Sequence, residues 1–191
     1  MAARSLGRPA VLRTRPGQVR NNTVMHVIRR LTDADMPAVT AIVRGLPDHF
    51  TSDVPGLIER DAADHDGWVL TDSGTVAGFA IASRRPPRAA EILWIAVDPS
   101  RRGQRLGTAL LDRVLDELAA AGASVVEAKT LDASADYPPY EATRAFWEHK
   151  GFVHIDTIDP LPGWPPGNPA AIYVAALRPT RRPAPDEHRA P

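Results

Sequence analysis

Apolar and polar positions recur along the chain with periods typical of an α/β fold, and the clearest pattern runs from Ala89 to Gly122. Residues 92–97 are apolar without alternation, which predicts a central strand buried on both faces. Leu106 then begins a four-residue recurrence of leucine and valine that predicts an amphipathic helix, and Gly122 ends it. This segment is therefore predicted to form a strand, a tight turn and a helix.

The remaining chain shows the same two periods on both sides of this segment. Before it we predict strands at 24–30, 67–71 and 75–83 and helices at 32–44 and 54–63. After it we predict strands at 125–131, 152–158 and 170–177 and a helix at 140–150. The alternation of strands and helices predicts one α/β domain with about seven strands and about four helices.

Both ends of the chain differ in composition from the periodic part. Residues 1–22 hold five arginines and no acid, and residues 178–191 are rich in proline, arginine and alanine. We expect both to be disordered extensions of a domain at 23–177, with Met25 as an alternative start. The net charge of zero includes +5 from the first extension and +2 from the second, which leaves −7 for the domain. An acidic domain argues against nucleic acid as the main partner.

Several classes of protein are disfavoured by what the sequence lacks. No apolar run is long enough for a secretory signal or a membrane span, and we expect a cytoplasmic protein with no membrane partner. The absence of cysteine removes disulfides, thiol nucleophiles and thiolate metal sites. His149 and His154 do not form a convincing metal cluster, so we expect no metal site.

The turn before the predicted helix at Leu106 has the composition of a phosphate-binding site. Backbone N–H groups at a helix start lack intrahelical partners, and the helix dipole adds positive potential. Gly103 and Gly107 allow close approach of the backbone, and three arginines supply charge at Arg101, Arg102 and Arg105. Neither the P-loop ending nor the three-glycine dinucleotide motif is present.

These residues resemble the acetyl-CoA-binding motif of the GCN5-related N-acetyltransferase (GNAT) family, Arg/Gln-x-x-Gly-x-Gly/Ala after an apolar strand. Residues 102–107 fit at every position but one, since Arg105 takes the place of the middle glycine. The later pair Phe146-Trp147, followed by three residues and Gly151-Phe152, resembles a second motif of that family. The resemblance covers about residues 24–177 and implies the family's fold, a mixed, mostly antiparallel sheet flanked by helices.

The resemblance implies acetyl-CoA as co-substrate and a set of residues that bind it. Backbone N–H groups of Ile95 and Val97 are expected to bond the pantetheine arm and the acetyl oxygen. The complete expected set is Ile95, Ala96, Val97, Arg102, Gly103, Gln104, Arg105, Leu106, Gly107, Thr108, Phe146 and Trp147.

Two residues are candidates for proton transfer. Glu91 lies at the start of the apolar strand, where partial burial would raise its pKa toward that of a general base, and Ala90-Glu91-Ile92 resembles the glutamate segment of histone-acetylating members. The alternative is a charged residue at an exposed strand end. The family often has a tyrosine proton donor where this chain has Trp147, whose indole cannot deliver a proton at neutral pH. We therefore predict Tyr140 as the acid, unless another group acts or the thiolate leaves into solvent.

The residues that would bind the acceptor are predicted from their position in loops of the fold that the resemblance implies. His49, Phe50 and Asp53 lie between the first two helices, where the alternatives are a helix cap at Asp53 and an aromatic plug at Phe50. Trp164 and Asn168 lie in a proline-rich connection at 159–169, which is either a semi-rigid lid over the acceptor or a surface-packed loop.

The function implied by the resemblance is transfer of an acetyl group from acetyl-CoA to a primary amine of a small molecule by direct attack. A non-catalytic acyl-CoA sensor and an acetyltransferase for protein lysines or N-termini remain alternatives. A homodimer is also open, since many members of the family dimerise.

Overall fold

One seven-stranded sheet organises residues 26–177, which are the residues that the computed structural model describes. The strands are β1 (His26–Arg30), β2 (Asp66–Asp72), β3 (Thr75–Arg85), β4 (Ala89–Val97), β5 (Val125–Leu131), β6 (Val153–Ile158) and β7 (Ala170–Ala176). The α-helices are α1 (Met36–Arg44), α2 (Val54–Asp64), α3 (Leu106–Ala120) and α4 (Glu141–His149). Every predicted strand and helix is confirmed, with shifts of a few residues at the ends. The predicted extensions at 1–22 and 178–191, and Met25, lie outside the described residues.

The sheet has the strand order β1-β2-β3-β4-β5-β7-β6. All neighbouring strands are antiparallel except β4 and β5. The parallel ladder between β4 and β5 joins residues 89–92 to residues 125–128 and stops there. Beyond Ile92 and Ala128 the two central strands therefore have no mutual pairing, which leaves a cleft in the middle of the sheet.

A β-bulge in β4 lies at the point where the two strands separate. On β3, Ala82 pairs with Ile92 and the adjacent Ile81 pairs with Trp94, so Leu93 is the extra residue. A bulge bends its strand and changes the face to which the following side chains point. Ile92 accordingly packs in the core under α3, whereas Trp94 packs on the opposite side of the sheet.

The helices form one layer on each face of the sheet. On one face α3 buries Leu110, Leu111 and Val114 completely against the sheet. On the other face α1 and α2 cover Phe79 and Ile81. Burial of each such side chain contributes about 1.5–3 kcal/mol, so these two layers hold the cleft walls in place.

The chain enters α1 through a 3₁₀ turn, Asp33–Asp35, that the sequence predicted as a helix start. Asp35 is 6% exposed and accepts hydrogen bonds from the backbone and hydroxyl of Thr32, at 2.9 and 2.8 Å. Both terminal nitrogens of Arg29 donate to its carboxylate at 2.7 Å. The Arg29 hydrogen bonds, with help from Thr32, hold the pKa of Asp35 far below its usual value.

Candidate active site

The separation of β4 from β5 exposes backbone groups of β4 to the cleft. Asp98 N–H donates to Ala77 of β3 at 2.9 Å, and strand backbone groups alternate in direction with a period of two. Ala96 therefore faces β3, as the position of its carbonyl oxygen beside Gly78 also shows. By the same alternation, the N–H groups of Ile95 and Val97 point to the side where β5 has departed.

The turn after β4 brings a helix start to the end of this exposed edge. A 3₁₀ turn, Pro99–Arg101, is followed by Gly103 with φ of +78° and by Arg105 with φ of +59° and ψ of 17°. The left-handed conformation of Arg105 directs the chain into α3, whose first backbone N–H groups lie at residues 106–108. Glycine adopts this conformation without steric cost, which explains why a glycine suits position 105 and why arginine is strained there.

A depression of about 320 Å³ lies at this helix start. Its lining consists of Val97, Arg101, Arg102, Gly103, Arg105, Leu106, Gly107, Thr108 and Phe146. Gly107 keeps it open toward α4, because a Cβ there would stand 3.6 Å from Val97 and 3.8 Å from the Phe146 ring. Helix N–H groups, arginines and an aromatic wall together suit an anionic phosphate group joined to an apolar arm.

Of the three arginines predicted for phosphate, Arg101 has a partner inside the protein. Its Nη1 donates to the carboxylate of Asp72, which is 3% exposed at the end of β2. The other oxygen of that carboxylate lies 3.6 Å from His26 Nδ1. This ion pair fastens the turn before α3 to the β2–β3 hairpin, whereas Arg102 and Arg105 in the same turn have exposed side chains.

The loop between α1 and α2 meets the start of α4. Tyr140 Oη donates to the backbone oxygen of His49 at 2.7 Å, and the two ring centroids are 5.0 Å apart. Burial lowers the pKa of His49, and the nearby Arg102 lowers it further. Burial also raises the pKa of Tyr140. The contact ties the predicted acceptor loop to the predicted proton donor.

Glu91 has a different environment from the isolated acid expected from the sequence. It is 5% exposed and accepts from Lys129 Nζ at 2.5 Å and from Arg85 Nη2. Lys129 also contacts Glu127 at 2.6 Å, which gives a cluster of two cations and two carboxylates on the α1–α2 face of the sheet. The cations stabilise the ionised form of Glu91 and oppose its protonation.

The acetyltransferase (GNAT) family profile matches residues 30–152 of this chain. The chain belongs to the GNAT acetyltransferase family. Its seven-stranded sheet and four helices are those of the GNAT acyl-CoA N-acyltransferase fold.

Relatives of this GNAT chain have varied acceptors. It is 38% identical over 90 residues to a mycothiol acetyltransferase of Beutenbergia cavernae, which is 46% of this chain but only 28% of that protein. An alanine N-acetyltransferase acting on a ribosomal protein in Escherichia coli has a TM-score of 0.66 at 25% identity, over 80% of this chain and 94% of that one. A GNAT acetyltransferase from Desulfovibrio desulfuricans has a TM-score of 0.70 at 22% identity, over 81% and 100% of the two chains.

An aminoglycoside 6'-N-acetyltransferase solved with coenzyme A shares the fold as well. Its TM-score is 0.62 at 17% identity, over 82% of this chain and 99% of that one. At this identity the likeness shows the fold alone, and the acceptors of these neighbours belong to them.

The predicted cofactor residues of this GNAT domain lie in four kinds of position. Most line the depression, and Ile95 lies on the edge of β4 that β5 leaves unpaired. Gln104 is exposed in the turn, outside the lining of the depression. Ala96 and Trp147 are buried in the core, at 8% and 3% exposure, and Trp147 packs 4.8 Å from the Phe152 ring. Phe146, rather than Trp147, therefore presents its ring to the depression.

The predicted acceptor residues do not form one cluster. Asp53 is exposed and accepts from the Thr51 hydroxyl at 2.6 Å, a bond that lowers the pKa of the Asp53 carboxyl. Trp164 and Asn168 lie in the 159–169 connection, where their backbones make turn hydrogen bonds to Leu161 and Pro165. Phe50 packs 6.1 Å from Trp94, centroid to centroid, and Trp94 directly follows the bulge in β4.

Sequence reasoning missed the partners of the site residues. The register of the strands places Asp72 beside Arg101 of the turn before α3 and places Trp94 beside Phe50. It also places Arg85 and Lys129 beside Glu91. Alternating patterns reveal that these residues lie in strands, but not which residues stand opposite one another. The one unusual feature of the site that the sequence did show is Arg105, which stands where the family motif has glycine.

Proposed function

We propose that the protein transfers an acetyl group from acetyl-CoA to a primary amine of a small molecule, in the cytoplasm. The observation that supports this best is the depression at the start of α3, which adjoins the open backbone edge of β4 in a member of the GNAT family. The helix N–H groups at 106–108 with Arg102 and Arg105 would hold the pyrophosphate. Phe146 and Val97 would contact the apolar part of the arm.

Acetyl-CoA supplies an activated acetyl group as a thioester. Direct attack by an amine requires a neutral amine, a polarised carbonyl and a proton for the departing sulfur. The N–H groups of Ile95 and Val97 are the candidate donors to the carbonyl and the arm, because they point into the cleft.

Glu91 remains the proposed general base, and its partners define how it acts. Because Lys129 and Arg85 oppose its protonation, Glu91 is a weak proton acceptor until one cation moves. Arg85 is the candidate to move, since its side chain is 52% exposed whereas that of Lys129 is 19% exposed. The acceptor amine then loses its proton to the carboxylate.

Tyr140 remains the proposed acid, because its hydroxyl keeps its proton and is held beside the cleft by the His49 contact. As a check on this role, Tyr140→Phe should slow turnover more than Trp147→Phe. A non-catalytic acyl-CoA sensor is the second candidate, and the burial of Trp147 where the family often has a tyrosine favours it.

Calorimetric titration tests the proposal with acetyl-CoA and with CoA. The wild type is compared with Arg102→Ala combined with Gly103→Pro, since proline cannot adopt the φ of +78° at Gly103. Arg113→Ala serves as control, because it removes an exposed arginine of α3 whose partner is Glu117 rather than the depression. We expect micromolar binding that the double variant loses and the control keeps.

Absence of binding by the folded wild type would refute both the enzyme and the sensor. If binding occurs, thiol release with a panel of amines decides between them. Release of CoA upon addition of an amine supports the enzyme, and binding without release for every amine and for peptide N-termini supports the sensor.

A further inference from the structure

An aromatic pair, Trp94 and Phe50, lies beside the cleft on the α1–α2 face of the sheet. Trp94 follows the bulge in β4 and lies on the α1–α2 face, at the level where β5 has left β4. Phe50, from the loop between α1 and α2, packs 6.1 Å from it at an interplanar angle of 58°. Both side chains are only partly buried, so ring surface is left uncovered beside the cleft.

The polar atom of Trp94 is satisfied within the protein. Trp94 Nε1 donates to Asp61 of α2 at 2.6 Å. What Trp94 and Phe50 can still offer to a ligand is therefore ring surface rather than hydrogen bonds.

The carboxylates on the same face are also occupied. Glu91 is paired with Arg85 and Lys129, and Glu127 is paired with Lys129. Asp61 holds the indole of Trp94. The four groups Glu91, Glu127, Arg85 and Lys129 together carry no net charge, so they offer no unpaired buried carboxylate to a second ammonium group of an acceptor; Asp61 is half-buried and is engaged by the indole N–H. A polycation would lose water there without gaining an ion pair.

Building on the proposed acetyl transfer, we propose that the acceptor is a primary monoamine attached to an aromatic or similarly flat apolar group. The ring of the acceptor packs on Trp94 and Phe50. Its amino group extends along β4 toward Glu91, three residues away, or about 10 Å of strand. The amine nitrogen forms the new amide bond to the acetyl carbon, the bond from that carbon to sulfur breaks, and the amine proton leaves to the protein or solvent.

The experiment compares four acceptors at saturating acetyl-CoA by thiol release: phenethylamine, ethanolamine, spermidine and a tripeptide that begins with alanine. We expect kcat/KM for phenethylamine to exceed that of each of the others at least tenfold, the scale at which an apolar pocket discriminates. Trp94→Leu should remove most of this preference, and Trp94→Phe, which keeps a ring, should retain most of it. Neither change should alter the affinity for acetyl-CoA.

Equal rates for the four acceptors, or a preference for spermidine or the peptide, would overturn the inference. A calorimetric titration of the CoA complex with phenethylamine tests this inference separately from the proposed reaction. Binding that Trp94→Leu abolishes, without any turnover, would support the aromatic site while refuting the acetyl transfer. Failure of the wild type to bind phenethylamine, despite tight binding of CoA, would refute the site itself.

Discussion

Replacement of Arg105 separates backbone strain from charge at the proposed cofactor site. The residue adopts a left-handed conformation, φ +59° and ψ 17°, directly before α3. In this conformation a Cβ destabilises the folded state by about 1–2 kcal/mol, which favours glycine. The greater conformational freedom of glycine in the unfolded chain offsets about 0.4–1 kcal/mol of that advantage. We therefore expect Arg105→Gly to be more stable than Arg105→Ala by about 1 kcal/mol. For a domain of this size that equals about 2–4 °C in Tm.

The effect on cofactor binding should be the same for both variants. Each removes the same exposed cation from the depression and keeps the backbone N–H groups. Loss of one charge-assisted contact costs about 1.5 kcal/mol at such an exposed site, or about tenfold in Kd. The dependence of Kd on salt should become weaker in both variants.

Thermal unfolding and calorimetric titration with CoA measure the two effects independently. Gln104→Ala is the control, since Gln104 is an exposed, uncharged neighbour outside the lining of the depression. Equal stability of the glycine and alanine variants would refute the left-handed conformation as a source of strain. An unchanged Kd in both would show that the Arg105 side chain does not contact the phosphates.

Three further perturbations follow from the ion pairs. Asp72→Asn should weaken acetyl-CoA binding about three- to tenfold with kcat at saturation unchanged, because it releases the turn that we propose to bind the pyrophosphate; a fall in kcat alone would contradict this positioning role. Glu91→Gln should reduce turnover at least tenfold with acetyl-CoA affinity kept, whereas Glu127→Gln, which shares the Lys129 partner, should change it less than threefold; equal rates for the two would remove the base assignment. The lowered pKa of Asp35 means that its pair with Arg29 contributes stability above pH of about 4, which is lost as the pH falls toward the folded-state pKa. Arg29→Met should therefore lower the free energy of unfolding at pH 7 by about 1–2 kcal/mol and by less at pH 3, and an equal loss at both would argue against the linkage.

The local signals in the sequence predicted the elements well because each depends on neighbouring residues. The apolar run at 92–97 and the leucine recurrence from Leu106 predicted β4 and α3. Ser73 and Gly74 both have positive φ, as expected for the hairpin turn between β2 and β3. No helix in the described residues is long and apolar enough to cross a membrane.

The sequence predicted the positions of the candidate cofactor residues better where their role depends on the backbone than where it depends on the side chain. Gly103, Arg105 and Gly107 shape the turn through conformation and close approach, which a local motif specifies. Trp147 lies next to Phe146 in the sequence, but the helix turns its ring about 100° away and into the core. A pair of adjacent aromatic residues does not by itself reveal which ring faces a ligand.

The sequence by itself determined the order of strands and helices, the tight turn before α3 and the position of Glu91 in the central strand. The tertiary structure decided what surrounds them: Arg85 and Lys129 beside Glu91, Asp72 behind Arg101, and Trp94 beside Phe50. Periodicity is a property of neighbouring residues, whereas these contacts depend on strand register and on the bulge at Leu93, which changes the face that follows it. Pairing between distant strands sets the charge and the chemistry of the cleft, because it brings together residues that are far apart in the chain.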